Sequence, residues 1–227
     1  MQIKELSVDI ETYCDVDLRK TGVYRYAEDE SFEILLLAVS INNAPVIVYD
    51  LTKDKLPNLI LQALIDDTVI KWAFNATFER ICLSNWIKKH YPTLLNENFL
   101  SPNSWRCSMI WAAYLGLPLS LEGVGTILKL SEQKLKVGSE LIRYFCLPCK
   151  PTKVNGGRTR NYENHAPEKW KNFIEYNKRD VEVELAIKKR LQNFPVPDFV
   201  WDEYHLDQNI NDCGIGVDVD FVQSAIK

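Results

Sequence analysis

The stretch Ile3–Glu11, IKELSVDIE, constrains this chain more than any other. Successive side chains of a strand point to opposite faces, which puts Leu6, Val8 and Ile10 on one face and Ser7, Asp9 and Glu11 on the other. Two carboxylates side by side on an otherwise buried strand are costly unless a positive charge sits between them. A divalent cation is the natural candidate, and oxygen-only ligands suit magnesium or manganese. The strand therefore predicts a sheet with one face in a core and a metal site on the other, completed by acidic residues from elsewhere in the chain.

The chain has 227 residues, 46% of them hydrophobic, enough for one large domain or a domain with an extension. Its formal net charge of −4 argues against a basic sheath. It does not exclude nucleic acid, because metal-bound carboxylates are neutralised locally and can face phosphates. Of six cysteines, only Cys146 and Cys149 have metal-like spacing, and no second pair or nearby histidine completes a zinc site. Reduced thiols in a cytoplasmic protein are expected. The start MQIKELSVDI is too short and too charged for a signal peptide, and no apolar run approaches membrane-spanning length, so no membrane partner is expected.

Along the chain, Cys14–Ser31 reads as a polar, ordered loop packed by its tyrosines. Phe32–Ile41 and Val46–Tyr49 flank an Asn-Asn turn and read as a hairpin. The chain thus opens with three strands, antiparallel in sequence. Helical spacing follows over Leu56–Ile65, a short strand over Val69–Phe74 and a helix over Ala76–Lys89. A short strand is expected near Trp105, then a helix over Ser108–Leu115, one capped by Ser120, and one over Gly138–Cys146. Lys150–His165 has no apolar period and reads as a basic loop, either a solvated connection or a flap that contacts phosphates. Glu168–Leu191 is the strongest helix, with Phe173, Tyr176, Asp180, Val183 and Ile187 on its inward stripe. Phe199–Cys213 reads as a helix, Gly214–Val219 as extended, and Asp220 as the start of a last helix. Strands first, then strands alternating with helices, predict an α/β fold: a mixed sheet with helices on its faces. Trp72, Trp86, Trp105, Trp111 and Trp170 are assigned to the core.

Asp-x-Glu occurs twice, at Asp9/Glu11 and Asp180/Glu182. On a strand the pair converges. On a helix the two residues lie roughly 200° apart, so Glu182 faces away from Asp180. Tyr176 and Asp180, four apart, share a helix face. Glu79, one turn beyond Asn75, is a third acidic position; taken alone, a glutamate there is more often a surface residue paired with Arg80 or Lys88.

Asp9-x-Glu11 on the first strand, Asn75-x-x-x-Glu79 on the middle helix and Tyr176-x-x-x-Asp180 on the late helix resemble the three motifs of the DnaQ-like 3′→5′ exonucleases, in the branch that uses tyrosine. The resemblance is closest to the proofreading domains of family A, polymerase I-like DNA polymerases of bacteriophages. It extends through AFNATFER, Trp105–Met109, LPLSLEGVG, LIRYFCLPCKP and DQNINDCGIGVD. Glu79 stands where the family usually carries aspartate. The resemblance implies a ribonuclease H-like fold with an exonuclease domain over 1–195 and the helical, thumb-side start of a polymerase region over 196–227. It implies two Mg²⁺ or Mn²⁺ ions held by Asp9, Glu11, Glu79 and Asp180. Asp9 would bridge the ions, and Glu11 with the Tyr176 hydroxyl would orient the attacking water. The substrate would be the 3′ end of single-stranded DNA, gripped near Thr12, Tyr13, Asn75 and Phe78, with Tyr13 and Phe78 as stacking or simply core aromatics. The implied partner is a covalently linked polymerase domain, and the implied location the cytoplasm of a bacterial host. A free-standing DNA or RNA exonuclease and a non-catalytic nucleic-acid-binding or structural domain are the alternatives.

Overall fold

A computed structural model describes residues 2–95, 97–131 and 137–226. In chain order its elements are β1 (Glu5–Tyr13), α1 (Leu18–Glu28), β2 (Glu33–Ile41), β3 (Ile47–Asp50), α2 (Asn58–Ile65), β4 (Ile70–Ala73), α3 (Ala76–His90) and β5 (Trp105–Cys107). Then come α4 (Ser108–Tyr114), α5 (Leu121–Ile127), α6 (Gly138–Phe145), α7 (Pro167–Leu191), α8 (Asp198–Cys213) and α9 (Val219–Ile226).

The strands form one sheet in the order β3-β2-β1-β4-β5, with β1 at its centre. β1 pairs antiparallel with β2 and β2 antiparallel with β3, whereas β4 runs parallel to both β1 and β5. The hairpin turn works because Asn42 and Asn43 both take positive φ, 49° and 60°, the geometry a two-residue primed turn demands and asparagine tolerates. The Asn42 carboxamide oxygen also accepts from the Lys4 and Glu5 amides, tying the turn to the start of β1.

β1 separates two packing layers. Leu6, Val8 and Ile10 join the main core with Ile60 and Leu64 of α2 and Ile81 and Leu83 of α3. On the other side, the N-terminal half of α7 places Phe173 and Tyr176 in a second cluster with Leu35, Leu36, Leu141 and Phe145. Further along α7, Val181 packs on Ala38 and Val46. The β1–β2 register shifts between Glu11, which faces Leu36, and Thr12, which faces Ile34; Leu35 is the extra residue. Such bulges sharpen local twist and re-aim side chains, and this one sits beside Glu11.

The structure corrects one element. Within the expected Cys14–Ser31 loop, Leu18–Glu28 is helical, interrupted at Gly22, whose φ of 74° and ψ of 166° are non-helical. Asp17 caps it by accepting from the Arg19 amide, and Tyr26 and Ala27 bury its end. Four of the five tryptophans assigned to the core are buried, and Trp72 is half-buried, packed on Trp111 and Trp201. α8 lies against the main core: Trp201 meets Trp72 edge-on, and Asp212 pairs with the fully buried Arg80 of α3 at 2.8 Å. α9 buries none of its residues, and Lys227, at the end of the expected last helix, lies outside the described residues. Among the described residues no helix is long and apolar enough to cross a membrane.

Candidate active site

Three elements bring the predicted acidic residues to one place. β1 supplies Asp9 and Glu11 from the face that α7 covers. α3 starts at Ala76, after Asn75 takes a left-handed conformation (φ 81°) that turns the chain out of β4 and into the helix. Glu79 then falls in its first turn and is buried, 4% exposed, as are Glu11 at 7% and Asp180 at 6%. The residue with an Arg80 or Lys88 partner in the surface alternative is therefore an interior one, and Arg80 turns instead to Asp212.

Electrostatics report the convergence. Burial pushes the Glu79 carboxyl well above the usual range, and the negative charge of Asp9, then of Glu184 and Glu11, pushes in the same direction. Glu79 Oε2 is buried with no hydrogen-bond partner among the described residues. The Tyr176 hydroxyl is held far above its ordinary value, first by burial, then by the charges of Asp180, Glu11 and Asp9, and by its hydrogen bond to Asp180. The Tyr176 hydroxyl is therefore held in its protonated form. Glu182 behaves as the helical geometry requires: it faces outward and pairs with Lys178 and Arg179.

The sequence reading missed several neighbours. Asn177 Nδ2 donates to Asp9 Oδ2 at 2.7 Å and to the Asp9 carbonyl at 3.2 Å, fixing that carboxylate from α7. Its residue type next to Tyr176 was the only available signal. Cys146 Sγ lies 3.7 Å from Glu11 Oε2, and burial pushes its thiol well up, so it stays a neutral donor. Cys146 and Cys149 are both free thiols. One turn beyond Asp180, the fully buried Glu184 accepts from Ser108 Oγ at 2.9 Å, and burial raises its carboxyl to about 7. Lys188 follows, donating to Ser7 Oγ at 3.0 Å, so the third polar residue of the β1 face also meets α7.

The four residues named for substrate differ in setting. Thr12 is buried, its hydroxyl 2.8 Å from that of Tyr26 in α1. Tyr13 is 2% exposed, its hydroxyl donates to Asp15 at 2.5 Å, and the Arg160 guanidinium lies 3.8 Å over its ring. Phe78 is half-buried beside Tyr26. Asn75 is exposed and makes no capping bond.

The donor set is all oxygen and acidic, and the unpartnered Glu79 Oε2 is the kind of buried atom a hard cation satisfies. Among the described residues no three acidic, cysteine or histidine side chains already close around a single point at coordination distance. The residues fit a divalent ion by the chemistry of the donor set and by the convergence of Asp9, Glu11, Glu79 and Asp180 from β1, α3 and α7.

The mixed five-stranded sheet with flanking helices is the fold of solved ribonuclease D structures. The chain superimposes on ribonuclease D from Trypanosoma brucei with a TM-score of 0.54 at 15% identity, covering 91% of this chain and 64% of that one. It matches Escherichia coli ribonuclease D, an exoribonuclease involved in structured RNA processing, with a TM-score of 0.51 at 11% identity, over 94% of this chain and 46% of that one. In sequence it is 49% identical over 225 residues to the DNA polymerase of Bacillus phage SP02. That alignment takes in 99% of this chain and 33% of the polymerase, so the chain spans about one third of its relative's length. No protein-family model matches it.

Proposed function

We propose that this chain is the 3′→5′ exonuclease domain of a phage-type DNA polymerase, hydrolysing single-stranded DNA from the 3′ end to nucleoside 5′-monophosphates. The observation that carries this reading is the meeting of Asp9, Glu11, Glu79, Tyr176 and Asp180, from three separate elements, within electrostatic reach of one another. The relationship to one third of a phage polymerase supports the context. In this reading residues 1–195 form the nuclease and 196–227 begin a polymerase portion to which it is covalently joined, in the cytoplasm of a bacterial host.

Asp9, Glu11, Glu79 and Asp180 would hold two Mg²⁺ or Mn²⁺ ions. When bound, such ions supply an acidic water at neutral pH and offset the charge of the phosphate. The chain's own contribution is placement. Asn177 holds the Asp9 carboxylate through its 2.7 Å bond. Tyr176 keeps its proton and presents a hydroxyl that donates, so with Glu11 it can orient a water but cannot serve as a base. Glu79, one methylene longer than the usual aspartate, brings a carboxylate from α3 close enough for the charge of Asp9 to act on it.

A 5′-labelled single strand incubated with Mg²⁺ or Mn²⁺ tests the proposal. Stepwise shortening that Asp9→Ala abolishes is the expected result. Binding of the strand without shortening would favour a non-catalytic nucleic-acid-binding domain, and shortening that survives Asp9→Ala would place the chemistry elsewhere.

A further inference from the structure

A groove of about 1320 Å³ opens between the β2 start, the segment after β3, the end of α3 and the basic loop before α7. Its position is set by register. Glu33 and Ile34, in its wall, pair with Tyr13 and Thr12, the two residues that follow Glu11 on β1. Two strand residues span about 7 Å, so the groove begins roughly that far along β1 from the carboxylates. Arg160 ties the groove wall to the end of β1: its guanidinium stacks on Tyr13 and on Tyr162, at 3.8 and 4.7 Å, and pairs with Glu33 at 2.6 Å.

The groove's charge opposes that of the chain. Five lysines and arginines line it against three carboxylates, in a protein of net charge −4. Arg160 takes up Glu33 and Lys53 takes up Glu163, which leaves Asp54 against Lys55, Lys89 and Arg158. Among the described residues Arg158 is anchored by neutral oxygens, Asn161 Oδ1 at 2.8 Å and the Asn155 carbonyl at 3.0 Å, and no carboxylate pairs with it. Among the same residues Lys89 reaches the carbonyls of Glu30 and Phe32 and no carboxylate. Lys55 has no carboxylate partner among the described residues. The loop carrying Arg158 is internally braced, since the Asn155 side chain bonds the Thr152 amide and the Lys150 carbonyl at 2.8 and 2.9 Å. Tyr162, 51% exposed, offers an aromatic face at the same wall. Uncancelled cations beside an aromatic platform are the elements of a sequence-independent single-strand site. The volume exceeds the roughly 300–1,000 Å³ of a small-molecule pocket and suits a length of polymer.

We propose that this groove is a subsite for the phosphodiester backbone of single-stranded nucleic acid, leading toward the carboxylates of β1, with Lys55, Lys89 and Arg158 meeting phosphates and Tyr162 a base. The subsite rests on the exonuclease reading for its polymer and serves the same strand. It gives the basic loop a function and makes strand length, beyond the terminal residues, a determinant of affinity.

The test measures binding by fluorescence anisotropy without metal, comparing a labelled decathymidylate with a labelled dithymidylate. Lys55→Glu/Lys89→Glu changes two exposed residues, and an unchanged melting temperature verifies its fold. The expected result is at least tenfold weaker decamer binding, unchanged dimer binding, and a salt slope lower by about 1.4, from two phosphate contacts of roughly 0.7 each on a single strand. Tyr162→Ala should weaken the decamer alone, with the salt slope unchanged. Decamer binding untouched by the charge reversal, or decamer and dimer weakened equally, overturns the subsite. The two readings fail separately: wild-type protein that binds the decamer through Lys55 and Lys89 yet never shortens it with Mg²⁺ refutes the nuclease and leaves the groove standing.

Discussion

Gly138→Ala is a small change with a calculable effect on the cleft. A Cβ at that position would lie 2.1 Å from Tyr176 Cε2 and 2.7 Å from its Cζ. Carbon atoms pack at about 3.5 Å or more, so α6 and the Tyr176 ring must separate by about 1.4 Å. The ring has little room, being 1% exposed and parallel to Phe173 at 6.4 Å between centroids. Overpacking of this kind costs about 1–3 kcal/mol in stability. Its larger effect is on chemistry: a hydroxyl displaced by ~1 Å can cost ~100-fold in rate. Single-turnover hydrolysis of a 5′-labelled strand at saturating protein isolates that step from binding. Gly138→Ala should slow it about 100-fold, with decamer affinity within threefold of wild type. In a Tyr176→Phe background, where the hydroxyl is already gone, the same substitution should add little, because coupled residues are non-additive. A Gly138→Ala protein with wild-type rate, or one equally impaired in both backgrounds, would refute the assignment of Tyr176 as the residue that orients water.

Three further outcomes follow from the buried charges. Glu184 holds its proton to about pH 7 when folded against 4.5 when unfolded; the folded state therefore binds more protons between those values, and stability falls as pH rises across that window, then levels off. Glu184→Gln should remove the slope and be more stable than wild type at pH 8 by up to about 3 kcal/mol, with no difference near pH 4; equal urea midpoints at both pH values would contradict it. Asp212→Ala strands Arg80, fully buried, and should cost about 3 kcal/mol, near the lower end for a buried pair because the Asp212 side chain is 16% exposed; a loss under about 1 kcal/mol in denaturant melts would show that water replaces the carboxylate. Mg²⁺ should raise the melting temperature by relieving the repulsion among the cleft carboxylates, by about 2.7 kcal/mol of stability at a hundredfold excess over its dissociation constant, and a metal-insensitive melt would count against the site.

What was legible in the sequence was what local periodicity encodes. The two-residue period of β1 paired Asp9 with Glu11, and the four-residue step of α7 paired Tyr176 with Asp180. The same helical geometry turned Glu182 out to Lys178 and Arg179. α1 was invisible because its sequence, LRKTGVYRYAE, has no apolar period and contains Gly22; it forms through its Asp17 cap and the burial of Tyr26 and Ala27 against the rest of the protein. The supporting partners were hidden for a different reason. Asn177 finds Asp9 from 168 residues away, Arg80 finds Asp212 across 132, and Cys146 finds Glu11 across 135. Such pairs depend on how the layers dock, and no spacing rule reaches that far. The groove belongs to the same category, since its walls come from β2, the end of α3 and the loop before α7.

The central claim is that carboxylates from β1, α3 and α7 make one metal-binding site. Calorimetric titration of Mn²⁺ into wild type, Asp9→Ala, Glu79→Gln and Asp180→Asn tests it most directly. The account predicts saturable binding to the wild type, loss of that binding in Asp9→Ala, and at least tenfold weakening in each of the other two. Mn²⁺ binding of wild-type strength in Asp9→Ala, or no binding to the wild type, would contradict it.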